Sequence, residues 1–404
     1  MTKNNILVLT YWSYPDALIQ TYTLPYLRII RQLDSMGSIT LVTLEKQMET
    51  LQDQDNYIQN ELGKVQLAWK PFHYKPFGVR GLWMWLKAGI ELVWLIRKNK
   101  INVVHCFCTP PGAIGYVLSK ITGCKLILDS YEPHAEAMLE NGTWSRNGLA
   151  FKLLFAMERL QTKRANTIIA TTAGMFHYAQ EKFGVTISKF HVKPACVDLA
   201  LFSADILRDI KLLDELGLHD KIICVYAGKL GGIYLREEVF QFFKAAVEKW
   251  GDKFRVLMLT NHSRDEIEKD CATVNLNPAI IITRFVAHHE VPRYMALGHF
   301  GITPVKPVPT KKYCTPIKDG EYWALGLPVV IPANISDDSD IILRHEAGAV
   351  LTTLSKVEYD RAIAVLDNLL KQPEAQTRMR IRRLAETYRN FQIAEQVYKT
   401  VYSN

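Results

Sequence analysis

The feature that most constrains this chain is a repeated alternation of short apolar runs with longer helical stretches. Apolar or β-branched runs fall at 6–9, 39–42, 103–106, 126–128 and 167–170 in the first half, and at 222–226, 256–259, 280–282, 300–302 and 329–331 in the second. Runs of this length that are apolar throughout suit strands buried on both faces. Strands that alternate with helices give parallel sheets, because a parallel return needs a crossover long enough to hold a helix. At 404 residues the chain is long for one core. The expected organisation is α/β, with a doubly wound domain at 1–200 and a second at 201–383. The boundary follows Val192-Lys193-Pro194-Ala195-Cys196-Val197-Asp198, and a polar connector runs on to about Asp220. The last segment, 384–404, reads as a helix whose aromatics Tyr388, Phe391, Tyr398 and Tyr402 suit docking on a surface.

Composition narrows the class. Hydrophobic content of 48% with 22% charged residues is that of a globular chain. Seven cysteines, an odd number without CxxC pairs, argue against a disulfide framework or a structural zinc and fit a reduced, cytoplasmic compartment. The start reads as a strand rather than a basic leader with a cleavage site. A net charge of +8 admits an acidic partner: a nucleotide diphosphate, an anionic membrane surface or nucleic acid. The basic residues are dispersed rather than grouped with aromatics, so nucleic acid is the weakest of the three. The segment 82–96 holds three tryptophans but is too short to span a bilayer, which needs about 20 residues, and contains Lys87 and Glu91. With Arg80, Arg97, Lys98 and Lys100 around it, two readings stay open: packing on a sheet, or peripheral contact at the inner face of a membrane. No metal is expected. Asp53-Gln54-Asp55 lies in a polar tract with no strand leading into it, and His288-His289-Glu290 lacks a third ligand at metal spacing.

The segment 314–331 carries the sharpest chemical signal. Cys314-Thr315-Pro316-Ile317-Lys318 reads as a loop opening into a helix whose first amides are free, with Pro316 at its start and Lys318 within the first turn. That arrangement suits a phosphate. Glu321 follows Lys318 by three residues and so shares its side of the helix, where a carboxylate would accept from vicinal sugar hydroxyls. Gly326 and Pro328 then end the helix before Val329-Val330-Ile331.

This segment resembles the nucleotide-sugar site of retaining GT-B glycosyltransferases of the group 1, family 4-like type, which carry a serine- or threonine-proline-x-lysine turn, then glutamate-tyrosine, then small-glycine-x-proline-valine-valine. The resemblance runs along the whole chain. It implies two Rossmann-like domains facing across a cleft, with the C-terminal helix crossing back to the first. It also implies a retaining, metal-independent transfer of a sugar from a nucleotide diphosphate sugar, a UDP-sugar most simply, to a saccharide or lipid-linked acceptor. The nucleotide sugar is a co-substrate, and no cofactor is implied.

The same resemblance assigns roles. Gly228, Lys229 and Gly231 follow a strand where the family sets a glycine-basic turn against the donor diphosphate. Lys229 and Lys318 would hold the diphosphate and Glu321 the ribose, with Thr315, Pro316 and Ile317 around them. Arg284 and Val286 would meet the base. In the first domain His134 would touch the transferred sugar, with Glu132, Tyr11 and Tyr14 on the acceptor side; Asp129 and Glu136 are further carboxylates that the sequence does not rank. Three departures stand out. The second lysine of the glycine turn is missing, with Arg236 a loose substitute. Aromatics and Pro15 replace a Gly-Gly pair after the first strand. Tyr313 stands where the family's Glu-x7-Glu pair has its first acid. These leave open a non-catalytic nucleotide- or sugar-binding protein on the same fold and, behind it, a sugar-nucleotide epimerase.

Overall fold

A computed structural model describes residues 3–47, 55–75 and 79–403. Asp53 and Gln54 lie outside the described residues. Two compact units emerge: residues 1–194 with 392–404, and residues 195–391.

The first unit runs β1 (Asn4–Leu9), α1 (Leu24–Arg31), β2 (Met36–Glu45), α2 (Asp55–Lys64), β3 (Leu67–His73), α3 (Val79–Lys98), β4 (Val103–Phe107), α4 (Thr109–Thr122), β5 (Lys125–Tyr131), α5 (His134–Glu140), α6 (Leu149–Arg164), β6 (Thr167–Ala170), α7 (Gly174–Phe183) and β7 (Phe190–Val192). All seven strands are parallel, in the order β3-β2-β1-β4-β5-β6-β7. Val8 pairs with Leu41 on one side and His105 on the other, so β1 is central and buried. Right-handed crossovers then sort the helices: chain progress from β1 to β3 puts α1 and α2 on one face, and the reverse direction puts α3, α4, α6 and α7 on the other.

The second unit runs α8 (Ile210–Glu215), β8 (Ile222–Ala227), α9 (Glu237–Trp250), β9 (Phe254–Leu259), α10 (Arg264–Thr273), β10 (Ile281–Arg284), α11 (Val291–Met295), β11 (Phe300–Ile302), α12 (Ile317–Ala324), β12 (Val329–Pro332), α13 (Asp338–Arg344), β13 (Gly348–Leu351), α14 (Lys356–Leu370) and α15 (Glu374–Tyr388). Its six parallel strands are ordered β10-β9-β8-β11-β12-β13. One core layer joins Val225, Leu257, Trp323 and Leu384; a second, on the opposite face, joins Phe240, Phe243, Phe254 and Tyr359.

Strands β3, β7 and β13 lie outside the runs read from the sequence, although β13, Gly-Ala-Val-Leu, is apolar and buried throughout. All three are edge strands, where one row of backbone groups is unpaired, and β3 accordingly tolerates Lys70 and Pro71. The C-terminal segment also differs from a single helix over 384–404. Helix α15 ends at Tyr388, and Leu384 and Ala385 belong to the second unit's core. Arg389 and Asn390 break the helix, and α16 (Phe391–Tyr402) then packs within the first unit through Ala394, Tyr398 and Tyr402. Leaving the helix lets the Arg389 carbonyl accept from Val197 N–H at 2.8 Å.

Candidate functional site

Ligand crevices in doubly wound sheets open at the carboxyl ends of strands where the winding direction reverses. In the second unit that point lies between β8 and β11. The turn after β8 supplies Gly228, Lys229, Leu230 and Gly231, and the loop after β11 leads into α12. Gly228 has φ +145° and Gly231 φ +79°, conformations that side chains disfavour. Space is the second reason for glycine: a Cβ at 228 would stand 2.7 Å from Lys318 Cε and 3.1 Å from its Nζ. The two motif halves, 90 residues apart in sequence, are therefore in contact.

Several groups missed by sequence reasoning hold this turn. Tyr226 donates its hydroxyl to the Lys229 carbonyl. Leu230 N–H donates to His262 Nε2 at 3.0 Å, which leaves the His262 proton on Nδ1, facing Glu266 at 3.4 Å. Lys318 Nζ donates to the Tyr234 hydroxyl at 3.0 Å and lies 4.3 Å from that ring's centre, so the ammonium is parked over an aromatic face beside the glycine turn. Arg236 pairs through its Nε with Asp270 at 2.8 and 3.0 Å, while its Nη1 stands 4.0 Å from where a Cβ at Gly231 would lie. Lys229 itself points to solvent.

Helix α12 starts one residue later than Pro316 suggests. Pro316 is the N-cap, at ψ 124°, and offers no side-chain acceptor, so the first amides of the helix have no side-chain cap. Its C-terminus closes as expected of Gly326: Gly326 N–H bonds Trp323 O and Leu327 N–H bonds Tyr322 O, both at 2.9 Å, the Schellman pattern. Tyr322, Trp323 and Ala324 are buried, leaving Lys318 and Glu321 half-buried on the remaining side. Thr315 Oγ1 lies 3.2 Å from Ser336 Oγ, and Tyr313 is buried beneath the Lys312 ammonium. Arg284, at the end of the edge strand β10, turns its guanidinium back on the Thr283 carbonyl at 2.8 Å. Val286 packs on the core beside the exposed Phe285. His288, His289 and Glu290 form one 3-10 turn; among the described residues no group of three or more His, Cys, Asp or Glu is placed to hold a metal ion.

Burial pushes the Glu321 carboxyl up to about 7, while the Lys318 charge pulls it down. A raised carboxyl keeps its proton in the folded state after the unfolded chain has lost it, near pH 4.5. Stability therefore falls as pH rises from about 4.5 to about 7 and stays lower above that. Glu321→Gln is expected to stabilise the protein at pH 8 by on the order of 2 kcal/mol and to leave it unchanged at pH 4. Melting curves at the two pH values check this; equal effects at both would refute a carboxylate penalty.

Beneath α12, Asp319 is fully buried and accepts from Thr303 Oγ1. Burial and the neighbouring Asp338 carboxylate hold Asp319 well above the usual carboxylate range. Asp338 in turn pairs with Arg389. The junction of α15 and α16 is thereby tied to the back of the helix that carries Lys318 and Glu321.

In the first unit the reversal lies between β1 and β4. Tyr11 and Tyr14, after β1, lean toward β3: Tyr11 meets Tyr74 edge-on at 5.9 Å, and Tyr14 meets Trp69 at 5.5 Å. His134 opens α5 just after β5, the strand beside β4 in the sheet. Its Nδ1 stands 3.8 Å from Glu132 Oε1, with both side chains part-exposed. Glu158, buried on α6, accepts from Ala135 N–H at 2.9 Å and so anchors the start of α5; burial pushes its carboxyl up to about 8. Glu136 is engaged with Lys182 at 3.0 Å.

Asp129 is wholly buried and structural rather than open to a ligand. Its Oδ1 lies 3.3 Å from Lys193 Nζ, and its Oδ2 meets His105 Nε2 at 3.1 Å and the donated Tyr398 hydroxyl at 2.6 Å. Burial opposes the charge, yet Lys193 and His105 bring the Asp129 carboxyl down to about 2. Tyr402 OH lies 2.6 Å from His105 Nδ1. The aromatics of α16 thus dock on a buried charge cluster.

No family model matches the chain. Over 247 residues it is 23% identical to the alpha-D-kanosaminyltransferase of Streptomyces kanamyceticus; the match takes in 56% of this chain and spans 60% of the length of that curated relative. A glycosyltransferase structure from Rickettsia africae matches at TM-score 0.69 and 14% identity over 100% of both chains. Anabaena HepE in complex with UDP matches at TM-score 0.69 and 14% identity, over 99% of this chain and 100% of that one. WaaG, a glycosyltransferase involved in lipopolysaccharide biosynthesis, matches at TM-score 0.71 and 12% identity, over 99% and 100%. At such identities the likeness is one of fold, and it extends over the full chain: this protein has the GT-B fold, with two parallel-sheet α/β domains.

Proposed function

We propose that this protein is a retaining glycosyltransferase that moves a sugar from a nucleotide diphosphate sugar, a UDP-sugar first, to a saccharide or lipid-linked acceptor without a metal ion. One observation carries the reading. A left-handed glycine turn at the switch point of the second sheet touches Lys318, at the uncapped start of α12, with the half-buried Glu321 one turn on. Support comes from the UDP and UDP-glucose complexes of the fold neighbour HepE and from the sequence match to a kanosaminyltransferase. Lys318, Lys229 and the α12 amides would neutralise the diphosphate as it leaves, and Glu321 would accept from the ribose hydroxyls. Arg284 and Val286 would border the base, and His134 would meet the transferred sugar. The acceptor hydroxyl would attack from the face the nucleotide leaves, passing its proton to a diphosphate oxygen, so that no protein base is required.

A non-catalytic nucleotide-binding protein is the second reading, favoured by Tyr313 in place of an acid and by Arg236 being committed to Asp270. Calorimetric titration with UDP, GDP and ADP, with and without EDTA, tests the common ground. One nucleotide is expected to bind whether or not EDTA is present, and Lys229→Ala to weaken it about tenfold, as befits an exposed cation. A folded protein that binds none of the three refutes the donor site. Binding without turnover across saccharide and lipid-linked acceptors would favour the second reading.

A further inference from the structure

Three helices of the first unit, α3, α4 and α6, form one layer, α4 lying between the others. Their inner sides pack as the sequence suggests, with Ala88, Leu92 and Ile96 of α3 buried. Their outer sides are unusual for a helix layer facing water. On α3, Trp83 is 62% exposed, Ile90 75% and Trp94 57%, with Leu86 beside them. These positions recur at helical spacing and make one stripe. Val117 and Ile121 of α4 are exposed too, and so are Leu149, Leu153 and Leu160 of α6.

The exposed charges in this layer are almost all of one sign. Lys87, Arg97 and Lys98 are exposed on α3, Lys120 on α4, and Lys152, Arg159 and Lys163 on α6. Against them the described parts of the three helices expose one acid, Glu91, which is paired with Lys70. Glu158, the other acid, is buried. On α6 the leucines interleave with cations at three- and four-residue steps. Lys98 Nζ lies 4.5 Å over the Trp94 ring, so its stem follows the indole while its charge stays outward.

We infer that the outer face of α3, α4 and α6 docks on an anionic lipid surface, the tryptophans and leucines entering the interface and the cations meeting headgroup charge. Charge decides against a second copy of this chain as the occupant: a two-fold pairing of this face would set its cations against each other. No helix among the described residues is long and apolar enough to cross a membrane, so the contact is peripheral. The inference does not rest on the donor site.

The full chain should co-sediment with phosphatidylcholine vesicles containing phosphatidylglycerol, with a blue shift of tryptophan emission, and should stay in solution with phosphatidylcholine alone. Ile90→Glu with Leu153→Glu should weaken the anionic-vesicle binding at least about tenfold, and added salt should weaken the wild type. A far-UV circular dichroism spectrum and melting curve of the same variant serve as the folding control, and UDP titration is run apart from it, so a failed membrane test and a failed donor site are read separately. Three results overturn the inference: no binding of the wild type to anionic vesicles, equal binding to neutral ones, or undiminished binding of the folded variant. A concentration-dependent dimer lost in the variant, without vesicle binding, would assign the face to self-association instead.

Discussion

If the proposed transfer holds, Lys318→Ala is expected to lower turnover about 100- to 1000-fold, the loss usual when one preorganised group facing developing charge is removed from a catalytic site. The expectation follows from where the ammonium is held. It rests over the Tyr234 ring, against the Gly228 turn and in the first turn of α12, so an ammonium held by an aromatic face and the free helix amides converge on one small volume. In the proposed transfer the charge on a departing diphosphate would grow during the reaction, and a fixed cation there would lower the barrier more than it tightens the ground state. Stability should change little, since the side chain is half-buried and its hydrogen bond is to a tyrosine hydroxyl. Steady-state turnover with the nucleotide sugar that binds best, measured beside a melting curve, decides it. A loss below about threefold in a folded variant would remove Lys318 from the transition state.

Asp129→Ala should act in the opposite way, through the fold. Removing the carboxylate 3.3 Å from the buried Lys193 ammonium is expected to cost about 3–5 kcal/mol, the usual result of breaking a buried ion pair from one side. The rings of Tyr22 and Tyr26, 5.0 and 3.6 Å from Lys193 Nζ, would offset part of that. Two units with separate cores need not melt as one. Hydrogen exchange of β4, β5 and α16 amides is therefore the better readout, with the second unit as internal reference. Asp129→Asn combined with Lys193→Met should recover most of the loss, because no charge then remains unbalanced. Protection unchanged within about 1 kcal/mol would show that the cluster is not what holds α16. Asp129 has a lowered carboxyl, so its contribution is complete above about pH 4 and disappears only as the pH falls through about 2.

That Lys318 and Glu321 share one side of a helix was legible because the relation is local. A helical spacing of three residues fixes their shared side whatever surrounds them, and Gly326 announces the end of the same helix. The interior strands were legible for a similar reason: burial on both faces leaves only apolar side chains acceptable. Edge strands answer to a weaker constraint, so Leu67–His73, with its lysine and proline, carried no signal. Asp129 misled in the other direction, and the Asp270 partner of Arg236 could not be read from the sequence. A charged residue near a ligand motif looks available until its partner is known, and Asp270 lies 34 residues from Arg236, while Tyr398 lies 269 from Asp129.

By itself, then, the sequence determined the parallel α/β class, the division into two doubly wound halves and the loop–helix–strand unit around Lys318, all of which follow from periodicity and short-range sterics. The tertiary structure alone decided which distant groups meet. It set Tyr234 and His262 around the glycine turn, committed Arg236 to Asp270, and closed Asp129 under the tyrosines of α16. Hydrogen bonds and ion pairs are satisfied by geometry and not by order along the chain, so one strand end can need partners from almost anywhere in the sequence.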